Sequence, residues 1–192
     1  MASLARIAVI GAAGVVGYAY LIGGTVTQVG GDLNPSTVPA AYAQDIEQAG
    51  TVCPAITAAL IAAQINQESG FDKDAESDTG AEGIAQFEGY NSMVTSGEVD
   101  PWNPASAIHG MAELDCDEYK HFGSVTLALA AYNAGEGNAE NWQDIGQTRN
   151  YVESIEAAAP HYAGATTTTT TESITNPAER ISNGLNTLMG DL

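Results

Sequence analysis

A glutamate stands at the end of an apolar run. Ala58-Ala59-Leu60-Ile61-Ala62-Ala63-Gln64-Ile65 leads through Asn66 into Gln67-Glu68-Ser69-Gly70-Phe71. On a helix, Ile61, Ile65 and Glu68 follow i, i+4, i+7 spacing and share one face. A carboxylate on an apolar stripe is costly unless it is paired or protonated. Burial there raises its pKa, which is what a general acid working near neutral pH requires. The plainer alternative is a glutamate at a helix end, hydrogen-bonded to nearby backbone N–H groups.

Other residues with chemical potential are less well placed. Asp72, Asp74, Glu76 and Asp78 follow closely and could supply a second carboxylate. Their recurrence at odd positions has the rhythm of a calcium loop. However, Ser77 occupies the place of the EF-hand glycine and Gly83 that of its final glutamate, so a solvated loop is the better reading. His109, His121 and His161 are dispersed, and no His/Cys cluster has metal-ligand spacing. Ser69 lacks the Gly-x-Ser-x-Gly elbow of a serine hydrolase. Neither a metal nor another cofactor is expected.

The elements that must position Glu68 read as mainly helical. A helix is expected over Pro54–Gln67, with Pro54 suited to its first turn. The acidic stretch Phe71–Gly83 reads as a loop and Ile84–Phe87 as a short extended piece. Further helices are expected over Pro104–His121, Ser124–Ala134 (closed by Gly135 as C-cap) and Thr148–Ala159. Together they define a helical domain over residues 43–163 with a small extended piece. Residues 26–42, rich in Gly, Thr, Pro and Ser, form one linker, and residues 164–176, with the run Thr166–Thr171, form another. In the last segment, 177–192, Ile181, Leu185 and Leu188 fall on one face of a short amphipathic helix that could dock on a protein partner.

Composition excludes some partners and suggests a compartment. The 192 residues carry 5 Lys+Arg against 24 Asp+Glu, a formal net charge of −19. Nucleic-acid binding rests on neutralising phosphates, and peripheral binding to anionic lipid needs basic residues, so both are disfavoured. Within residues 1–25, Ile7–Gly23 is almost wholly apolar, with Arg6 and the amino terminus the charges before it. This reads either as an uncleaved membrane helix or as a signal segment, with Ala41-Tyr42-Ala43 as a distant cleavage site. Both readings place the remainder outside the cytoplasm. Two cysteines, Cys53 and Cys116, would form a disulfide in an exported chain, worth about 4 kcal/mol in the chain-entropy model. Buried free thiols are the alternative.

Four segments occur in a telling order: Gln67-Glu68-Ser69-Gly70-Phe71, Gly80-Ala81-Glu82-Gly83-Ile84-Ala85-Gln86-Phe87, Ala130-Ala131-Tyr132-Asn133-Ala134-Gly135-Glu136-Gly137 and Thr148-Arg149-Asn150-Tyr151-Val152. Together they resemble the soluble lytic transglycosylase family, whose fold is similar to goose-type lysozyme. The resemblance covers roughly Cys53–Ile155. It implies that Glu68 is the single catalytic acid/base and that Ser69 contacts substrate or steadies the glutamate. It implies further that Gln86 lines a saccharide groove, that Tyr132 and Asn133 lie near its floor, and that Tyr151 lies near Glu68. For Tyr132 and Tyr151, core packing with a satisfied hydroxyl is the plainer reading. Departures touch the sugar contacts. Ala85 precedes Gln86 where the family commonly has Met, Phe87-Glu88-Gly89 follows in place of Met-Pro, and Gln147 stands where an acid often precedes Thr-Arg.

The implied substrate is the glycan strand of peptidoglycan. In the family's reaction the glutamate protonates the oxygen between N-acetylmuramic acid and N-acetylglucosamine. It then takes the proton of the muramic 6-hydroxyl as that group attacks C1, leaving a 1,6-anhydro sugar. One carboxylate suffices because the nucleophile belongs to the substrate, whereas a hydrolase more often needs two. A non-catalytic wall-binding module using the same groove is the rival from another class.

Overall fold

The apolar run before Glu68 forms the central helix of the protein, as the structure, a computed structural model, shows. It describes residues 33–164 in full and the backbone of residues 6–10, 16–22 and 25–29. Thr57 begins the central helix as its N-cap, its hydroxyl accepting from the Leu60 N–H at 3.2 Å. Every residue from Ala58 to Ile65 is buried, as expected of a helix that is apolar all round. The helix ends at Ser69, where Gly70 takes the left-handed conformation and its N–H donates to the Asn66 carbonyl. Glu68 thus sits where a buried helix emerges from the core. The expected start at Pro54 is corrected: Pro54 lies in a turn closed by the Cys53–Ile56 bridge, and the cap belongs to Thr57.

The other helices wrap this one. In chain order they are α1 (Ala43–Ala49), the central α2 (Ala58–Ser69), α3 (Ser92–Ser96), α4 (Pro104–Phe122), α5 (Val125–Ala134), α6 (Glu136–Ala139) and α7 (Gly146–Tyr162). Single 3-10 turns lie at Pro35–Thr37 and Trp142–Asp144. α2 packs along α7 and against α1 and α4, while α5 bridges α4 and α7. The core between them includes Ile46, Ile56, Ile61, Ile65, Ile108, Met111, Leu129, Val152 and Ile155. Expected ends hold where caps are strong. Asn103 and Ser124 cap α4 and α5, and the Gly135 N–H closes α5 on the Ala131 carbonyl at 2.7 Å. α7 runs to Tyr162, past the expected end at Ala159 and through Pro160. The short α1, α3 and α6 were not expected.

The expected extended piece over Ile84–Phe87 is a small hairpin instead. Two-residue strands Ala81–Glu82 and Phe87–Glu88 pair antiparallel, Ala81 opposite Glu88 and Glu82 opposite Phe87, around a turn at residues 83–86. Gly83 makes that turn possible. Its φ is +72°, and a Cβ there would stand 1.8 Å from the Pro101 carbonyl oxygen.

Two further expectations are corrected. The membrane or signal helix over residues 1–25 is not seen. The described parts of that stretch are strands, Arg6–Ile10, Val16–Ile22 and Thr25–Val29, in one antiparallel sheet. Their Val, Ile, Thr and Tyr content favours extended backbone, and glycine recurs along the stretch, which weakens a helix. No helix among the described residues is long and apolar enough to cross a membrane. The disulfide is not formed either: Cys53 and Cys116 are free, buried thiols that face one another. They fill the core as small hydrophobes. Burial, reinforced by Cys53, pushes the Cys116 thiol up to about 11. The Thr run and the terminal amphipathic helix lie outside the described residues.

Gly83→Ala is expected to destabilise the protein by about 3 kcal/mol, since it adds both a clash with backbone and a strained φ. Urea unfolding of the two proteins checks this.

Candidate active site

Tyr151, one helix away and 83 residues later in the chain, donates its hydroxyl proton to Glu68 Oε1 at 2.5 Å. α7 carries this tyrosine on the side facing α2, where Val152 and Ile155 fix the helix in the core. Burial pushes the Glu68 carboxyl up to about 7, with the Tyr151 bond pulling the other way. The position of Glu68 in the last turn of α2, where the helix end disfavours negative charge, acts in the same direction as burial. Burial and the Glu68 charge raise the Tyr151 phenol well above its usual range, so Tyr151 remains a donor. With Oε1 occupied, Oε2 is the oxygen free to carry and deliver a proton.

Glu68 and Tyr151 open on a cleft of about 310 Å³ lined also by Gln67, Asn133, Gln147, Asn150 and Ser154. Glu68 is the one carboxylate in that lining. Asn133 is oriented by Thr148, whose buried hydroxyl donates to its Oδ1 at 2.9 Å. Gln147, Asn150 and Ser154 contribute polar groups that were not among the expected site residues, although Gln147 stood out as a departure from the family pattern. They share a face of α7 with Tyr151 at i, i+3, i+4 and i+7, so helical spacing counted from Tyr151 would have found them.

The remaining expected site residues brace the cleft rather than line it. Ser69 Oγ donates to the Ile84 carbonyl at 2.8 Å. Gln86, with φ of +52°, donates through Nε2 to the carbonyls of Gly83 at 2.9 Å and Ala75 at 3.2 Å. Tyr132 donates to the Ala85 carbonyl at 2.7 Å and sets its ring edge-on to Phe87. The Ser69 and Tyr132 bonds fasten the hairpin turn to the end of α2 and to α5, and the two Gln86 bonds close the turn on itself and on the loop at Ala75. Asp72, Asp74, Glu76 and Asp78 are exposed; Asp74 pairs with Lys73 and accepts nothing from the cleft. A separate cavity of about 430 Å³ between α3, α4 and the start of α6 is lined by Glu98, Asp117, Glu118, His121 and Glu136, and holds none of the motif residues expected to act on substrate.

Comparison with known proteins identifies the family and the fold. The profile of the transglycosylase SLT domain family matches residues 45–155, more than half of the chain. The chain belongs to that family, the one its four ordered motifs resemble. The fold is shared with the 70 kDa soluble lytic transglycosylase of Escherichia coli, at 23% identity and a TM-score of 0.56, over 67% of this chain and 25% of that one. An inactive mutant of the lytic transglycosylase Slt of Pseudomonas aeruginosa also matches, at 22% identity and a TM-score of 0.44, over 62% of this chain and 23% of that one. The chain thus spans about a quarter of the length of each.

Two outcomes follow for Glu68. Because the folded protein holds this proton more tightly, the stabilising contribution is complete below the unfolded pKa and is lost as pH rises through about 7. Glu68→Gln keeps an oxygen for Tyr151 and removes the titration. It is therefore expected to gain stability relative to wild type as pH climbs from about 5 to about 8, read by thermal melts across that range. Tyr151→Phe removes the bond that favours the carboxylate, so the Glu68 titration should move to higher pH, followed by carbon-detected NMR of the side chain.

Proposed function

We propose that the protein is an exported lytic transglycosylase that cleaves the β-1,4 bond between N-acetylmuramic acid and N-acetylglucosamine in peptidoglycan. The observation that carries this reading is the single carboxylate in the cleft, half-way through its titration near neutral pH and gripped by Tyr151 on one oxygen. Protonated Glu68 delivers its Oε2 proton to the glycosidic oxygen, and the N-acetylglucosamine side departs as an alcohol. The muramic N-acetyl group stabilises the positive sugar centre. The carboxylate, now held by the Tyr151 hydroxyl, takes the proton of the muramic 6-hydroxyl as its oxygen bonds to C1. The products are a 1,6-anhydro end and a regenerated acid, with no water consumed.

The same reading places the protein's work outside the cytoplasm, where peptidoglycan lies. It also assigns sugar contacts to Asn133, Gln147 and Asn150 on the cleft wall. Ser69, Gln86 and Tyr132 then act by holding the hairpin turn against the wall. Residues 43–163 form the catalytic unit in this reading, and wall remodelling or local opening of the wall is its use.

Digestion of purified peptidoglycan, followed by mass spectrometry, tests the proposal. Anhydro-muropeptides are expected; reducing-end products alone would identify a muramidase, and binding without turnover a wall-binding module. Glu68→Gln should lower the rate by about a thousandfold, the range for loss of a general acid/base. Undiminished turnover by that variant would sink the assignment of Glu68.

A further inference from the structure

Behind Glu68 lies a second acid that the reaction does not use. Asp115, on α4, and Gln64, one turn before Glu68 on α2, both have 0% exposure. Gln64 Nε2 donates to Asp115 Oδ1 across a long 3.4 Å contact. Each group is left with one buried oxygen that has no partner, Gln64 Oε1 and Asp115 Oδ2. Two acceptors stranded on a single bonded pair are costly in a dry interior. One proton removes both faults. On Asp115 Oδ2 it turns an orphan acceptor into a donor, and the amide oxygen is the acceptor that completes the ring.

We propose that Asp115 is a neutral carboxylic acid in the working protein, closing a two-bond ring with Gln64 that makes the pair the positioning element beneath Glu68. The ring ties the Gln64 turn of α2 to α4, and so sets the height of the next turn, which carries Glu68. It does this without placing a negative charge beside an acid that must itself become negative during each cycle. This deepens the reading of Glu68 as the acid/base and rests on it for its catalytic consequence.

The surroundings are consistent with a held proton. Burial pushes the Asp115 carboxyl up to about 8; the Gln64 bond opposes this, while the charges of Glu68 on α2 and Glu118 on α4 add to it. From the other side, the phenols of Tyr132 on α5 and Tyr151 on α7 sense the Asp115 charge, and both remain protonated. None of the groups facing Asp115 is a cation, so nothing would balance an ionised form. Full enclosure also separates Asp115 from the cleft, which excludes it as the second carboxylate of a hydrolase.

Asp115→Asn, nearly isosteric and always neutral, tests the proposal in the full chain. In infrared difference spectra against this variant, wild type should show a protonated carboxyl band at pH near 6 that disappears on raising the pH through about 8. A carboxylate signature already present near pH 6 would overturn the proposal. Wild-type melting temperature should fall relative to the variant as pH rises over the same range, whereas a gap independent of pH would indicate packing alone. In kcat/KM, the alkaline limb set by Glu68 should stay in place in Asp115→Asn. A move to lower pH by about one unit would reveal that a charged neighbour had been removed, and would overturn the neutral state. Gln64→Leu and Asp115→Leu should each lower the melting temperature, and the double variant should lose much less than their sum; additive losses would contradict the ring. The spectra and melts need no turnover, so they decide on Asp115 even if the digestion experiment fails.

Discussion

The contact on which the rest of the structure converges is the hydrogen bond from Tyr151 to Glu68. It joins two helices that are far apart in the chain and fixes one oxygen of a carboxyl at the exit of a buried helix. Burial and this bond pull the carboxyl in opposite directions, and burial prevails. The outcome is an acid near its midpoint at neutral pH. A larger desolvation would leave a glutamate that could not return the proton, and a stronger set of donors would leave one that could not give it. The packing of α2 on α7 is therefore a chemical setting as much as a source of stability.

Around that contact the polar side chains divide their work. Gln67 and Glu68 of α2, Asn133 of α5 and the polar face of α7 line the cleft, while Ser69, Gln86 and Tyr132 spend their hydrogen bonds on the carbonyls of Ile84, Gly83, Ala75 and Ala85. Side chains from α2, from α5 and from the turn itself thus tie this hairpin turn to its neighbours. Its backbone includes two residues at positive φ, Gly83 and Gln86, and those bonds keep Gln86 in a conformation that a non-glycine residue seldom adopts.

Much of this was legible in the chain. The ends of α4 and α5 follow from Asn103, Ser124, Gly123 and Gly135, whose local chemistry is strong enough to prevail wherever the helices pack. Glu68, Asn133 and Tyr151 were found by motif and do meet in one cleft. What escaped was set by tertiary packing. Asp115 lies among Glu113, Asp117 and Glu118 and looks like one more member of a solvated acidic face; the helices packed on α4 take it out of water. Pro54 resembled a helix start because the stronger cap at Thr57 lies three residues further on. The apolar stretch near the amino terminus shows the limit of hydropathy, because a run of Ile, Val, Tyr and Gly is compatible with strands as well as with a helix.

The two ends of the fully described body meet. Leu33 forms a bridge with Ala163, and the Asn34 N–H donates to the Tyr162 carbonyl at 2.8 Å. The chain enters and leaves the body through one doorway. Such a body is a closed loop in topological terms, and it can be spliced into a host chain without forcing the host's own ends apart. Mechanical load passed along the backbone would reach that doorway first and test its few hydrogen bonds before it reached the helices that hold Glu68.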